Sequence, residues 1–161
     1  MIKSLFSNII VAISGSQASI QATKYAIVLA KLYKCSLTAV YVVDSATIRQ
    51  LAASRILIAE EGADFESSLH SNGKRYLTFA DELAKAKGVR IECELREGAV
   101  WTEILGVAEA KKADLIILGG WEKGKDPKDI ISHLHREVLL RSKCSVLVSK
   151  EPDIDIIYRQ A

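Results

Sequence analysis

The chain has few cysteines, and none of them stands in a pairing pattern. They are Cys35, Cys93 and Cys144. An odd number of widely spaced cysteines without a Cys-x-x-Cys pair argues against a disulfide framework and a zinc site. We therefore predict that each cysteine behaves as a small apolar residue within or beside a strand. The three histidines also lack metal spacing with any cysteine or carboxylate cluster, and we predict that they lie on the surface. They are His70, His133 and His135.

Long apolar runs and basic clusters are also missing. No run approaches the roughly 20 apolar residues that a membrane-spanning helix needs. The 22 basic and 20 acidic residues nearly cancel and are scattered, whereas nucleic-acid binding usually needs a clustered basic face. The first apolar stretch runs directly into a strand pattern, which does not fit a signal peptide. At 161 residues the chain fits a single domain, and we predict a cytoplasmic protein that binds neither membranes nor nucleic acid.

Apolar strand patterns alternate with helical patterns along the whole chain. We predict strands over residues 8–13, 36–43, 89–95, 114–118 and 144–149. We predict helices over residues 17–34, 59–87, 101–113 and 131–142. Strands that read as continuous apolar runs are buried on both faces, and alternation with helices produces right-handed βαβ crossovers. The pattern therefore predicts an α/β fold with a doubly wound, five-stranded parallel sheet.

Three segments depart from this regular pattern. In "VRIECEL" (89–95) apolar and charged residues alternate, as in a strand with one wet face, so we place the third strand at an edge of the sheet. We expect residues 44–58 to form a helical excursion or a mobile lid near the strand ends, because a structureless loop of that length is uncommon. The tail "EPDIDIIYRQA" (151–161) mixes isoleucines with charges, which indicates an arm that packs against another surface.

Three stretches together resemble the universal stress protein family. They are "NIIVAISGSQASIQATKYAIVLAKLYKCSLTAVYVVD", "LREGAVWTEILGVAEAKKADLIILGG" and "SHLHREVLLRSKCSVLVSK", and the resemblance runs from Asn8 to Lys150. It implies a Rossmann-like (adenine nucleotide α-hydrolase-like) domain over residues 1–150, with strand order 3-2-1-4-5, followed by a C-terminal tail over 151–161. It also implies a homodimer, which we expect to form through the last strand at Val146 and Val148, with the tail around Ile154 to Tyr158 adding area.

Many members of this family bind ATP through a motif that follows the fourth strand: Gly, two residues, Gly, nine residues, then Gly and Ser or Thr. Gly119 matches the first glycine, but Glu122 takes the place of the second, and Ser132 and His133 take the place of the final pair. A glutamate adds bulk and negative charge beside a phosphate. Ser132 can instead cap the following helix. Lys123, Gly124 and Lys125 favour the opposite interpretation, a shifted loop that still holds phosphate.

The rest of the family's nucleotide pocket is mixed. Ser14 stands where an acidic residue usually holds the nucleoside, Val42 matches the valine whose backbone meets adenine, and Gly98 matches the turn before the third helix. The candidate site residues, if a nucleotide binds, are Ser14, Val42, Gly98, Gly119, Ser132 and His133. We expect no cofactor, with ATP or AMP as the alternative. We further predict that Trp121, or the segment 46–58, covers the cleft.

An enzymatic function is the remaining alternative. "SGSQAS" (14–19) resembles the pyrophosphate loop of ATP pyrophosphatases, but Ser16 and Ala18 replace the glycine and aspartate that serve phosphate and metal there. We favour a simpler interpretation in which Ser16 caps the first helix. The chain has no Gly-x-Ser-x-Gly and no His-Glu-x-x-His motif, so a hydrolase or transferase ranks third. The sequence predicts a binding or regulatory protein of the stress response, without catalytic residues or a metal.

Overall fold

A parallel sheet of five strands lies at the centre of the computed structural model, which describes residues 2–120 and 133–161. The strands are β1 (Asn8–Ala12), β2 (Ser36–Val43), β3 (Ile91–Glu97), β4 (Leu115–Gly119) and β5 (Ser145–Ser149). The helices are α1 (Gln17–Tyr33), α2 (Ser45–Ala53), α3 (Ala59–Lys85), α4 (Val100–Ala110), α5 (His133–Arg141) and α6 (Ile154–Gln160). No helix in these two ranges is long and apolar enough to cross a membrane.

The strand order is β3-β2-β1-β4-β5, and every pairing is parallel. The predicted fold class and strand order are therefore confirmed. The prediction that the third strand lies at an edge is also correct, since among the strands of residues 2–120 and 133–161 β3 pairs only with β2. Its residues are exposed or half-buried throughout, which explains why charged residues are tolerated at alternate positions.

The central strands bury side chains on both faces of the sheet. On one face, residues such as Ile9, Val11 and Ile117 pack with α1, α3 and α6. On the other face, residues such as Ile10 and Ile116 pack with α4 and α5. A doubly wound sheet needs this arrangement because helices cover it on both sides. It accounts for the continuous apolar runs by which these strands were recognised.

The segment between β2 and α3 forms the predicted helical excursion. Helix α2 begins after Asp44, whose carboxylate accepts hydrogen bonds from the Thr47 N–H at 3.1 Å and from the Thr47 hydroxyl at 2.7 Å. Such a carboxylate satisfies an N–H group that the helix leaves unpaired. Ile48 is buried, so α2 packs on the domain through one apolar side chain.

The three cysteines are free thiols and differ in exposure. Cys35 and Cys144 are half-buried, whereas Cys93 is exposed although it lies within β3. The predicted placement is correct, since Cys93 lies within β3 and the other two directly precede β2 and β5; Cys93 is the exposed one because β3 is an edge strand. Burial nevertheless raises the pKa of the Cys93 thiol, and Asp81 adds to this effect.

The C-terminal tail forms helix α6 and packs against the chain's own α1. Ile154 and Tyr158 are buried, and the Tyr158 hydroxyl donates to the carbonyl of Leu83 at 2.7 Å. An ion pair of 2.7 Å joins Lys24 on α1 to Asp155. The expected arm thus packs within the same chain, and its buried residues Ile154 and Tyr158 are not free to add area to a dimer contact.

Candidate functional site

A cleft lies at the carboxyl ends of β1, β2 and β4, where open α/β sheets bind their ligands. Its volume is about 290 Å³, close to the lower end of the roughly 300–1,000 Å³ that is usual for small-molecule sites. The described residues that line it are Ala12, Ile13, Ser14, Ser16, Ser19, Val40, Tyr41, Val42, Val100, Ile104, Leu118, Gly119, Gly120, Leu134 and His135.

A network of serine hydroxyls forms the turn from β1 to α1. Ser16 is the N-cap of α1, and its side chain accepts from the Ser19 N–H at 3.2 Å, as the sequence predicts. The Ser19 hydroxyl donates to the backbone oxygens of Ser14 and Ser16, each at 2.8 Å. The Ser14 hydroxyl lies 3.2 Å from that of Ser16. The hydroxyls therefore satisfy this turn internally, as a helix cap does.

Gly119 ends β4 directly beside the first turn of α1. A Cβ at this position would lie 2.9 Å from the carbonyl carbon of Ala18 and from the nitrogen of Ser19. These are backbone atoms, which cannot rotate away from an added methyl group. The close approach of β4 to α1 thus requires glycine here, whether or not a phosphate ever binds.

Helix α5 contributes a histidine to the cleft. His135 Nε2 lies 2.7 Å from the carbonyl oxygen of Gly119. Since a carbonyl only accepts, Nε2 carries the proton in this contact. The side chain of His135 therefore connects α5 to the end of β4.

The structure brings together only some of the predicted site residues. Ser14, Val42 and Gly119 line the cleft. Gly98 is not among the described lining residues; its N–H donates to the carbonyl of Val43 at 3.1 Å, in the turn before α4. His133 is exposed at the start of α5, and His135 lies at the cleft in its place. Two positions along a helix are about 200° apart around its axis, so the two histidines face different sides.

The rest of the predicted phosphate loop lies outside the described residues. This applies to Trp121, Glu122 and Ser132, and therefore also to the predicted cover of the cleft by Trp121 and to the predicted capping by Ser132. Residues 46–58, the other predicted cover, belong mainly to α2 and are not among the described lining residues of the cleft.

The described lining of the cleft consists of apolar, hydroxyl and backbone groups and the imidazole of His135. The lining residues contain no carboxylate, lysine or arginine in the described part of the chain. Burial raises the pKa of Tyr41, and the neighbouring Tyr76 adds to the effect, so the phenol is neutral at physiological pH. Such a cleft suits an apolar or aromatic ring with hydrogen bonds to hydroxyl and backbone groups. The described part of its wall offers neither a carboxylate for a ribose nor a lysine or arginine for a polyphosphate.

A second group of polar side chains lies outside the cleft. Glu66, His70 and Glu97 place one ligand atom each within 4.8 Å of the others. The prediction that His70 lacks metal spacing with carboxylates is therefore wrong, whereas its side chain is partly exposed, at 32%, in line with the predicted surface position. The signal was a glutamate four residues before the histidine, since helical residues at this spacing share a face. Glu97 joins them only through the packing of α3 against β3.

Comparison with known proteins places this chain among related sequences and structures. A family model described as "Universal stress protein family" matches residues 5–150. A universal stress protein of Methanocaldococcus jannaschii is 34% identical over 152 residues, which cover 93% of this chain and 85% of that protein. A crystal structure of a universal stress protein family member from Burkholderia pseudomallei has a TM-score of 0.72 and 24% identity, covering 93% of this chain and 100% of the other.

Two further structures were solved with nucleotides. One is a universal stress protein in complex with cAMP, with a TM-score of 0.63, 22% identity and coverage of 91% of this chain and 98% of the other. The other is the universal stress protein from Archaeoglobus fulgidus in complex with dAMP, with a TM-score of 0.63, 16% identity and coverage of 91% and 100%. At these identities the likeness concerns the fold.

Proposed function

This chain belongs to the universal stress protein family, and we propose that it is a binding or regulatory protein of the stress response whose cleft does not hold ATP in the family's usual manner. The observation that carries this proposal is the uncharged lining of the described cleft. A triphosphate brings several negative charges, and the described walls supply no ammonium or guanidinium group to meet them. The role is one of binding, since the sequence contains no known nucleophile motif.

Ser14 supports the same conclusion. It occupies the position at which the family's acidic residue usually holds the nucleoside, and its hydroxyl contacts Ser16 in the α1 cap. A neutral hydroxyl that already has a partner gains less from a ribose than a free carboxylate would, because hydrogen bonds to charged acceptors are the stronger ones. Among the described residues, the lining therefore supplies neither the sugar contact nor the phosphate contact of the usual site.

An adenosine monophosphate is the second candidate ligand. The cleft volume of about 290 Å³ and the position of Val42 in the lining favour a small nucleotide with few phosphates. Structures of proteins with the same fold were solved in complex with cAMP and with dAMP. In this alternative, the protein binds AMP or ATP through a rearranged loop and uses the ring-binding half of the cleft.

Calorimetric titration with Mg-ATP is expected to give binding no tighter than the millimolar range, about 4 kcal/mol. The reason is the missing carboxylate and cation in the described lining. The matched variant Ser14→Asp should bind ATP more tightly if the acidic residue is the main loss. Parallel titrations with AMP and cAMP test the second candidate. A purified protein that absorbs at 260 nm and releases a nucleotide on denaturation supports it, and micromolar binding of ATP contradicts the main proposal.

We also infer a homodimer that forms through β5. This strand ends the order β3-β2-β1-β4-β5 and pairs with β4 alone among the described strands. Val146 and Val148 are only half-buried. An apolar edge strand without cover is a site at which a second copy can pair.

The free thiols at all three cysteines fit a reducing compartment, which supports a cytoplasmic location.

Light scattering is expected to give the mass of a dimer at micromolar concentration. The double substitution of Val146→Lys and Val148→Lys should produce monomers, because four added charges would meet across the two-fold axis. Cys93→Lys adds charge at the opposite edge of the sheet and should leave the mass unchanged. A wild-type protein with the mass of a monomer would rule out the assembly.

A further inference from the structure

The group formed by Glu66, His70 and Glu97 has the donor set of a metal site. It offers two carboxylates and one imidazole, and the ligand atoms lie within 4.8 Å of one another. Ligands of a tetrahedral zinc ion, bound at about 2.0–2.2 Å, are roughly 3.5 Å apart. Small rotations of exposed side chains close the difference. The side chains of His70 and Glu97 are 32% and 49% exposed, so an ion can enter from solvent.

The positions of the three donors are set by two packed elements. Glu66 and His70 are four residues apart on α3 and share a face of the helix. Glu97 is the last residue of β3. Gly73 lets the helix approach the sheet here, because a Cβ at this position would lie 2.6 Å from a ring carbon of Tyr41 and 2.7 Å from a methyl carbon of Leu95. The close contact at Gly73 lies one turn beyond His70, so it holds the imidazole over the end of β3.

A simple ion pair accounts for only part of the group. His70 Nε2 contacts Glu97 Oε1, but within the described ranges Glu66 has no hydrogen-bond or ion-pair partner. Arg96, the basic residue of β3, does not serve as the partner of Glu66, since its Nε donates to Glu94 at 3.1 Å. Alternation along β3 puts both of these residues on the face opposite Glu97. The half-buried carboxylate of Glu66 is therefore available as a further ligand beside His70 and Glu97.

We propose that Glu66, His70 and Glu97 form a zinc site that fastens the N-terminal half of α3 to the end of β3. An imidazole with two carboxylates suits zinc better than magnesium or calcium, which take oxygen ligands. Three protein ligands leave a fourth position for water. The ion takes the place of the direct contact between His70 and Glu97, and it also engages Glu66. This site is separate from the cleft and does not depend on what the cleft binds.

The part of α3 that the ion would hold has little other support. The buried residues of this helix are Gly62, Gly73, Leu77, Ala80 and Ala84, so none lies between Gly62 and Gly73. Between these glycines the apolar attachment comes from half-buried Leu69, which packs against the core, and a segment with so few apolar contacts opens more easily. A metal that joins Glu66 and His70 to β3 adds the missing attachment.

The experiment uses the whole chain, freed of metal with a chelator. The protein then competes with a chromophoric indicator for zinc, which gives its affinity for the ion. We expect a single zinc ion per chain. Glu66→Gln and Glu97→Gln should each weaken binding by at least about tenfold, and His70→Ala should abolish it. Zinc should also slow amide hydrogen exchange over residues 59–72 in the wild type but not in His70→Ala. Circular dichroism shows whether each variant is folded.

Two controls separate this site from other zinc ligands. Glu82→Gln changes an exposed carboxylate on the same helix and should leave the affinity unchanged. Cys93→Ser removes the exposed thiol of β3 and should also have no effect. The proposal is overturned if the protein fails to compete with the indicator for zinc, if binding survives in all three cluster variants, or if it disappears in Cys93→Ser.

Discussion

Gly119→Ala is expected to lower the free energy of unfolding by about 1–3 kcal/mol, the usual cost of adding a methyl group to a filled space. The new Cβ would lie 2.9 Å from two backbone atoms of Ala18 and Ser19, and 3.0 Å from the Ala18 oxygen. Either β4 or the first turn of α1 must move to accept it. Both elements carry the cleft, so the same substitution should also disturb the contact between His135 and the Gly119 carbonyl.

Gly106→Ala is the matched control for this substitution. Gly106 is exposed on α4, and a Cβ there would have nothing within 4 Å. Alanine should raise the stability by about 0.5–1 kcal/mol, because glycine loses more conformational freedom in a helix. Urea unfolding followed by circular dichroism measures both variants. Equal effects of the same sign would show that the approach of β4 to α1 does not require glycine.

Tyr158→Ala is expected to lower the free energy of unfolding by about 3–5 kcal/mol, as for other buried aromatic side chains. The ring is buried, and the ammonium groups of Lys24 and Lys87 lie over it, at 5.7 and 4.7 Å from its centroid. Its hydroxyl also bonds to the Leu83 carbonyl at 2.7 Å. The loss therefore combines apolar burial, cation–π attraction and a hydrogen bond, and it releases α6 from the domain.

Tyr158→Phe isolates the hydroxyl and should cost only about 0.5–1.5 kcal/mol. Burial raises the pKa of Tyr158 above its ordinary value of 10.0. The protonated phenol is thus favoured in the folded state, and its contribution to stability is complete below pH 10 and is lost as the pH rises through the folded pKa. Phenylalanine should remove this alkaline decline.

If Tyr158→Ala changed the dimer mass but not the unfolding free energy, the tail would belong to the dimer contact instead.

The elements of the fold could be predicted because their signals are local. A strand buried on both faces shows a continuous apolar run, as in β1 and β4, and an edge strand shows alternation, as in β3. The helix start at Ser16 has a hydroxyl in the right place to accept from an N–H one turn later. Each of these features depends on residues within one short stretch, so a sequence contains what is needed to recognise them.

The cleft could be predicted only in part. Ser14, Val42 and Gly119 follow strands whose carboxyl ends meet at one edge of the sheet, and all three line the cleft. The spacing of the motif pointed to His133, but His135 is the histidine that lines the cleft. Which of the two faces the cleft depends on the rotation of α5 about its axis, and a shift of two residues reverses it. Gly119 was recognised as part of a phosphate motif, but the structure gives it a separate reason, the close approach of the α1 backbone.

The sequence by itself determined the order and type of the elements, the parallel sheet and the edge position of β3, because hydrophobic periodicity records which faces of each element are buried. Only the tertiary structure decided which distant side chains meet. His70 and Glu97 are joined by the packing of α3 on β3 at Gly73, Tyr158 reaches Leu83 because α6 folds back over the domain, and His135 reaches Gly119 across the cleft. Such contacts depend on the relative placement of whole elements, which no local pattern of residues specifies.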